Sequence, residues 1–268
     1  MKKHVLVAND DGINSGFLRA LVEALEPYFK VSVAAPKSEQ SWIGRAISRH
    51  SEIKVEKVDS LFSEGIEAWS LDGTPSDCVN IALGHLLETP PDIVVSGINI
   101  GFNTADILVL SSGTIAGAIE GSLWGHPSIA FSQTIPHEVY NEIHSKGGVP
   151  TPEFAPVLEA SAEKAAQITL QTLESPPDQG VVLNVNFPNN MHKEAQTETT
   201  CPAKIRLGSL YRQTKPGTYQ FSYSEGTIIE TDGHSDREAL ERGNISISPL
   251  NFSHAAQKND KKVKKTIN

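Results

Sequence analysis

Cysteine is nearly missing: among 268 residues only Cys78 and Cys201 occur. Two cysteines in a chain of this length make neither a disulfide framework nor a CxxC metal motif, and they fit a reducing cytoplasm. HExxH is absent, so no familiar zinc signature is present. No stretch reaches ~18 uninterrupted apolar residues, so no membrane span is expected. The basic start MKKH leads into an apolar run of only residues 5–8, far short of a signal-peptide core. Positive charge is scarce as well. Lys and Arg total 23 against 32 Asp and Glu, and the formal net charge of −9 argues against a nucleic acid polymer as partner. Locally the scarcity is complete, because no Lys or Arg stands between Lys57 and Lys146.

What remains is the composition of an ordinary globular protein, 38 % hydrophobic and 21 % charged. VLVA (5–8) and VSVAAP (31–36) read as buried strands, and between them SGFLRALVEALEPYF has apolar residues at helical spacing, stopped by Pro27. After Asp72, GTPSDCVNIALGHLL predicts a helix with Thr74 as N-cap, Pro75 in the first position and Asp77 complementing the positive helix end. Cys78 is expected to face the interior of that helix as a small core residue. A strand over 93–96 follows, then a glycine-rich loop. In the next helix, SSGTIAGAIEGSLWG, the small residues Ala116, Gly117, Ala118 and Gly121 would allow close approach to a sheet. HPSIAFS predicts another strand, FAPVLEASAEKAAQITLQTL a long amphipathic helix, and GVVLNVNFP a last buried strand. This alternation implies an α/β fold with a parallel, doubly wound sheet. From residue 189 the pattern becomes apolar/polar alternation around a KPG turn, as in a β-hairpin, and KNDKKVKKTIN at the end reads as a solvated, mobile charge run. The expected division is therefore a core over 1–188, a hairpin extension and C-terminal segment over 189–255, and a mobile tail over 256–268.

In such sheets ligands bind at the carboxyl ends of the strands, and polar groups recur there. VLVA runs into Asn9, Asp10 and Asp11; the strand ending at Pro36 is followed by residues 37–41, including Ser41; IVVSGIN leads to Asn99, with Asn103 beyond; Ser112, Gly113 and Thr114 open a helix. Carboxylate, amide and hydroxyl oxygens suit Mg²⁺ or Mn²⁺. Two adjacent acids at a strand end repel unless a cation lies between them. The SSGT opening offers backbone amides to an anion, and with no Lys or Arg in its span a metal ion would supply the missing positive charge. Cation and amides together would hold a phosphoryl group. Each element has a simpler reading too: Asp-Asp-Gly as a turn or cap, Ser41 as a solvated loop residue, Asn99 and Asn103 as stabilisers of left-handed backbone, and Ser112 and Thr114 as helix caps. His137 and His144 are expected in a surface loop, without a catalytic role.

Taken together, NDDGINSGF, APKSEQSWIG, LDGTPSDCV, PDIVVSGINIGFN, SSGTIAGAIEG, LNVNFP and ISISPL resemble, in order and from Val5 to Leu250, the stationary-phase survival protein SurE family of metal-dependent 5'/3'-nucleotidases. The resemblance implies a Rossmann-like α/β core with a C-terminal β-hairpin extension used in forming a homodimer or homotetramer. It implies one divalent cation on residues matching Asp10, Asp11, Ser41 and Asn99, and a substrate-phosphate side matching Asn103, Ser112, Gly113 and Thr114. Ser111 stands where the family usually has an aromatic residue or His, and Ala105 where it usually has glycine. The expected function is a cytoplasmic phosphomonoesterase releasing phosphate from nucleoside 5'-monophosphates, and from 3'-monophosphates as a further substrate class, with Asp10 and Asp11 catalytic. A nucleotide-binding module without turnover and a receiver-like Mg²⁺-binding signalling domain are the alternatives; the Lys-free span opposes the second.

Overall fold

A computed structural model of the chain describes residues 2–224, 226–230 and 233–253; the expected tail over 256–268 lies outside the described residues. Strand β1 (Lys3–Ala8), helix α1 (Gly16–Leu25) and strand β2 (Phe29–Pro36) form the first β-α-β unit, β1 and β2 pairing in parallel with Val5 opposite Val31. Ser15 caps α1 by accepting the Leu18 amide, and Phe17, Leu18, Leu21, Val22 and Leu25 form its buried face. Strands β3 (Val55–Lys57) and β4 (Glu67–Leu71) lead to α2 (Pro75–Ile81), whose Thr74 and Asp77 form a reciprocal capping box with Pro75 in the first turn and Cys78 buried.

The chain continues through β5 (Ile93–Ile100), α3 (Asp106–Ser111), α4 (Gly113–Leu123), β6 (Ser128–Gln133), α5 (His137–Ser145), α6 (Ala155–Glu174) and β7 (Val181–Phe187). Beyond β7 come β8 (Thr197–Thr199), β9 (Lys204–Arg206), β10 (Tyr211–Lys215), β11 (Thr218–Phe221), β12 (Thr227–Glu230), α7 (Asp236–Glu241) and β13 (Ile245–Asn251). The main sheet has nine strands in the order β3-β4-β2-β1-β5-β6-β7-β13-β8. Its middle, from β4 to β7, is entirely parallel; β3 and β13 run antiparallel to their inner neighbours. The fold is thus the expected mostly parallel sheet flanked by helices, with a C-terminal hairpin in which β10 and β11 pair around Pro216 and Gly217 and β9 pairs with β12.

Two expectations are corrected. Strand β5 does not stop at Ser96: its pairing with β6 shifts register there and resumes at Asn99 opposite Ser132, so Asn99 lies inside the strand. Nor is β7 the last buried strand, since β13 pairs with it over six residues, from Ser246–Asn186 to Asn251–Val181. The sequence ISISPLN alternates small polar and apolar residues and carries a proline, which obscures its place inside the sheet.

One face of the sheet is covered by α1 and α6, joined where Phe17 stacks on Phe154 at 6.3 Å. Helices α2 and α4 cover the other. The small residues of α4 matter here: a Cβ on Gly121 would stand 2.6 Å from the Val94 Cβ, so the helix can lie this close to β5 only without a side chain. Among the described residues no helix is long and apolar enough to cross a membrane. Strand order reverses direction between β1 and β5, the switch point at which such sheets form a crevice outside the carboxyl ends of their strands.

Candidate active site

Strand β1 delivers Asp10 to the crevice 3 % exposed, with Asp11 beside it. The Thr114 hydroxyl donates to Asp10 Oδ1 at 2.5 Å, and the Ile100 amide donates to Asp11 Oδ2 at 3.0 Å. Those bonds do not offset desolvation. Burial pushes the Asp10 carboxyl up to about 6, with Glu39 adding repulsion, and burial followed by repulsion from Asp10 holds Asp11 well above the usual carboxylate range. A carboxylate pair so placed, with no Lys or Arg among the described residues that line the adjoining cavity, suits a divalent cation.

The remaining expected ligands approach from two sides. Asn99 donates its Nδ2 to the Gly101 carbonyl at 2.7 Å, so its side-chain oxygen is the atom able to ligate a cation. Ser41 sits on the long loop between β2 and β3 and donates its hydroxyl to Glu39 at 2.7 Å. That loop is tied down at several points: the Gln40 amide donates to the Asp10 carbonyl at 2.7 Å, Thr74 Oγ1 donates to the Ala46 carbonyl at 2.8 Å, and Arg45 meets the buried Glu120 of α4 at 2.6 Å. The cation missing from the 58–145 span is thus brought in by the loop, for Glu120 rather than for the acid pair. Among the described residues no three His, Cys, Asp or Glu side chains gather as a metal group. The donor set here instead pairs two carboxylates with hydroxyl and amide oxygens, which is Mg²⁺ or Mn²⁺ chemistry.

On the opposite wall, Ser112 caps α4 by accepting the Ile115 amide at 3.1 Å. Gly113 follows because nothing larger fits: a Cβ there would lie 2.8 Å from the Asp10 Cβ and 2.9 Å from the Gln40 carbonyl oxygen. Thr114 is fully buried, and both its hydroxyl and its amide are directed at Asp10. It holds the carboxylate rather than facing the cavity. Asn103 is gripped on every side, its amide by Asn186 at 2.8 Å, its carbonyl by Asn184 at 2.8 Å, and its Nδ2 by Ser132 at 2.9 Å.

Asp10, Ser41, Asn99, Asn103 and Ser112 line one cavity of about 650 Å³, within the roughly 300–1,000 Å³ typical of small-molecule sites. Several of its other residues were not singled out from sequence. Trp42, Phe221 and Tyr223 form an aromatic wall, and Tyr140 and Asn141 enter from α5 beside His137, which was expected in a surface loop. The loop expected around His137 and His144 is therefore a helix. Its seating needs little more than Val139 and the buried Ile143, one i,i+4 pair, so the sequence reads as polar. His144 lies 3.2 Å from Glu39. Asp236 was also missed: it accepts the amides of Ala105 at 2.8 Å and Ala203 at 2.9 Å, pinning the turn after Asn103. Ala105 there has φ 64, a backbone region that favours glycine.

A family model described as Survival protein SurE matches residues 5–208. The chain belongs to the SurE family. A SurE relative from Nostoc sp. strain PCC 7120, named 5'-nucleotidase SurE, is 42 % identical over 263 residues, covering 93 % of this chain and 92 % of that protein. One of the same name from Flavobacterium johnsoniae is 34 % identical over 259 residues, covering 95 % and 93 %. The crystal structure of the SurE protein from Aquifex aeolicus is similar with a TM-score of 0.75 at 29 % identity, over 98 % of each chain. The SurE fold thus extends over the strands that carry Asp10, Asp11 and Asn99 and on into the C-terminal hairpin.

Proposed function

We propose that this chain hydrolyses nucleoside 5'-monophosphates to nucleoside and phosphate with one divalent cation, Mg²⁺ or Mn²⁺. The observation that carries the reading is the meeting, in one cavity without Lys or Arg among its described lining residues, of Asp10, the buried member of the acid pair, and Ser112, the residue that caps α4. Its relatives' shared name, 5'-nucleotidase SurE, supports it. Asp10, Asp11, Ser41 and Asn99 would hold the ion. Once bound, the ion supplies positive charge to the phosphoryl oxygens and acidifies water. Asn103, Ser112 and the Gly113 amide orient the phosphate, Thr114 fixes the Asp10 rotamer, and one carboxylate of the pair accepts the proton of the attacking water. Among the described residues no Lys or Arg lines the cavity, which favours one phosphate group over a di- or triphosphate. The exposed Tyr211, Tyr219 and Ile229 of the hairpin support a homodimer or homotetramer, and the low cysteine count supports a cytoplasmic setting.

The test is a panel of 5'- and 3'-nucleotides and simple phosphate esters with Mg²⁺ or Mn²⁺ and a chelator control. Phosphate release from the 5'-monophosphates that the chelator abolishes is expected; no release with either ion refutes the reading.

A further inference from the structure

Phosphate ester hydrolysis has two protons to place: one leaves the attacking water, and one must reach the departing ribose oxygen, which is otherwise an alkoxide and a strong base. The acid pair takes the first. For the second the cavity holds few groups, because none of its described lining residues is Lys or Arg and Asn103 is held by Asn184, Asn186 and Ser132. Tyr140 lines the same cavity from α5 and is 37 % exposed. A Cβ built on Gly101 would lie 3.8 Å from both Asn99 Nδ2 and Tyr140 Cε2, so the ring edge stands beside Asn99, at the polar end. One helical turn on, His144 stacks on the ring at 5.6 Å between centroids, inclined 20°, and lies 3.2 Å from Glu39, whose carboxylate also accepts the Ser41 hydroxyl. The phenol ring is thereby tied to the Ser41 loop. Its hydroxyl has no hydrogen-bond partner among the described residues. Burial, followed by repulsion from Asp11, Glu39 and Asp10, holds the phenol above its usual range, so it carries its proton at neutral pH.

We propose that Tyr140 is the general acid of the reaction, donating its phenol proton to the ester oxygen of the leaving alcohol. This rests on the phosphomonoesterase reading above. The oxygen of water bonds to phosphorus and its proton passes to one carboxylate of the acid pair. The bond between phosphorus and the ester oxygen breaks, its electron pair stays on that oxygen, and the Tyr140 proton joins it. The phenolate then recovers a proton from solvent while the carboxylate releases one, so the sum is ester plus water giving alcohol plus phosphate. A phenol is a stronger acid than an aliphatic alcohol, so the transfer runs downhill. His137 lines the cavity as well, but it is the first residue of α5, and Tyr140 is the one packed beside Asn99.

The experiment measures kcat/KM on AMP, ribose 5-phosphate and 4-nitrophenyl phosphate, with Mg²⁺ or Mn²⁺, for the parent, Tyr140→Phe and His137→Gln. Nitrophenolate leaves without a proton, whereas the ribose oxygen of the other two esters needs one. Tyr140→Phe keeps the ring on His144, and it should lose about 100-fold or more on AMP and ribose 5-phosphate yet stay within about 3-fold of the parent on 4-nitrophenyl phosphate. Equal losses on all three esters, as from a group that only shapes the cavity, overturn the proposal. So does no loss on AMP, or the selective loss appearing in His137→Gln instead. A second measurement uses phenyl phosphates of graded leaving-group acidity: log kcat/KM should fall more steeply with leaving-group pKa in Tyr140→Phe than in the parent, and matching slopes overturn the assignment. A parent inactive on every ester removes the phosphomonoesterase reading and the acid with it, a result distinct from an active parent with equal losses.

Discussion

The hydroxyl of Thr114 reaches the carboxylate of Asp10 at 2.5 Å, so the first turn of α4 is bonded to the end of β1. Thr114→Val keeps the shape and removes the donor. Activity should fall about 10- to 100-fold, as for other groups that orient a ligating side chain, while Thr114→Ser restores most of it. Initial rates with a 5'-monophosphate check this, and a Val variant as active as the parent would show that Asp10 needs no such support.

Asp10→Asn should leave the fold intact and reduce kcat/KM by about two to three orders of magnitude, the scale on which preorganised electrostatic groups act. It should also make the metal-free protein more stable, since a buried charge is removed, and abolish stabilisation by Mg²⁺ or Mn²⁺. Thermal melts with and without ion separate these effects.

The Asp10 carboxyl stands at about 6 in the folded chain against a usual 3.8. A raised carboxyl means the folded state holds its proton more tightly than the unfolded state, so the stability this group contributes is fully present below about pH 4 and is lost as pH rises through about 6. Denaturant midpoints of metal-free protein should decline over this window. Saturating Mg²⁺ should stabilise the protein at pH 7 but not at pH 4, where protons occupy its ligands. A midpoint that rises steadily from pH 4 to 6 without metal would contradict the assignment.

Asp236→Ala would strand the buried amides of Ala105 and Ala203. The expected loss is about 2–4 kcal/mol of stability, read from denaturant midpoints, with a raised KM because the Asn103 turn loosens. Asp236→Asn, which keeps one acceptor oxygen, should lie between.

Where a signal is local, the sequence is transparent. Ser15, Thr74 and Pro75 mark helix starts through their own backbone chemistry, and the apolar runs of β1 and β2 mark buried parallel strands. Asp10, Asn99 and Ser112 were visible as site candidates because strand ends and helix starts are where parallel sheets place polar groups. Contacts between distant segments left no such trace. Nothing near Ala105 announces Asp236, 131 residues on, as its partner. Trp42 looks like any loop aromatic until the hairpin folds over it. Thr114 shows a further limit: its type and place suggested a phosphate donor, but its direction towards Asp10 is a property of helix packing.

The aromatic wall has a consequence in time as well as in space. Asp10 leaves the ribosome near the start of synthesis and Tyr223 near the end, yet Trp42, which follows Ser41 directly, packs against the rings of Phe221 and Tyr223. A nascent chain can assemble the acid pair against α4 long before that wall exists. Until the hairpin closes, Trp42 lacks the rings it packs on, and a protein shortened within its last fifth would keep its acid pair while losing the aromatic wall of the cavity.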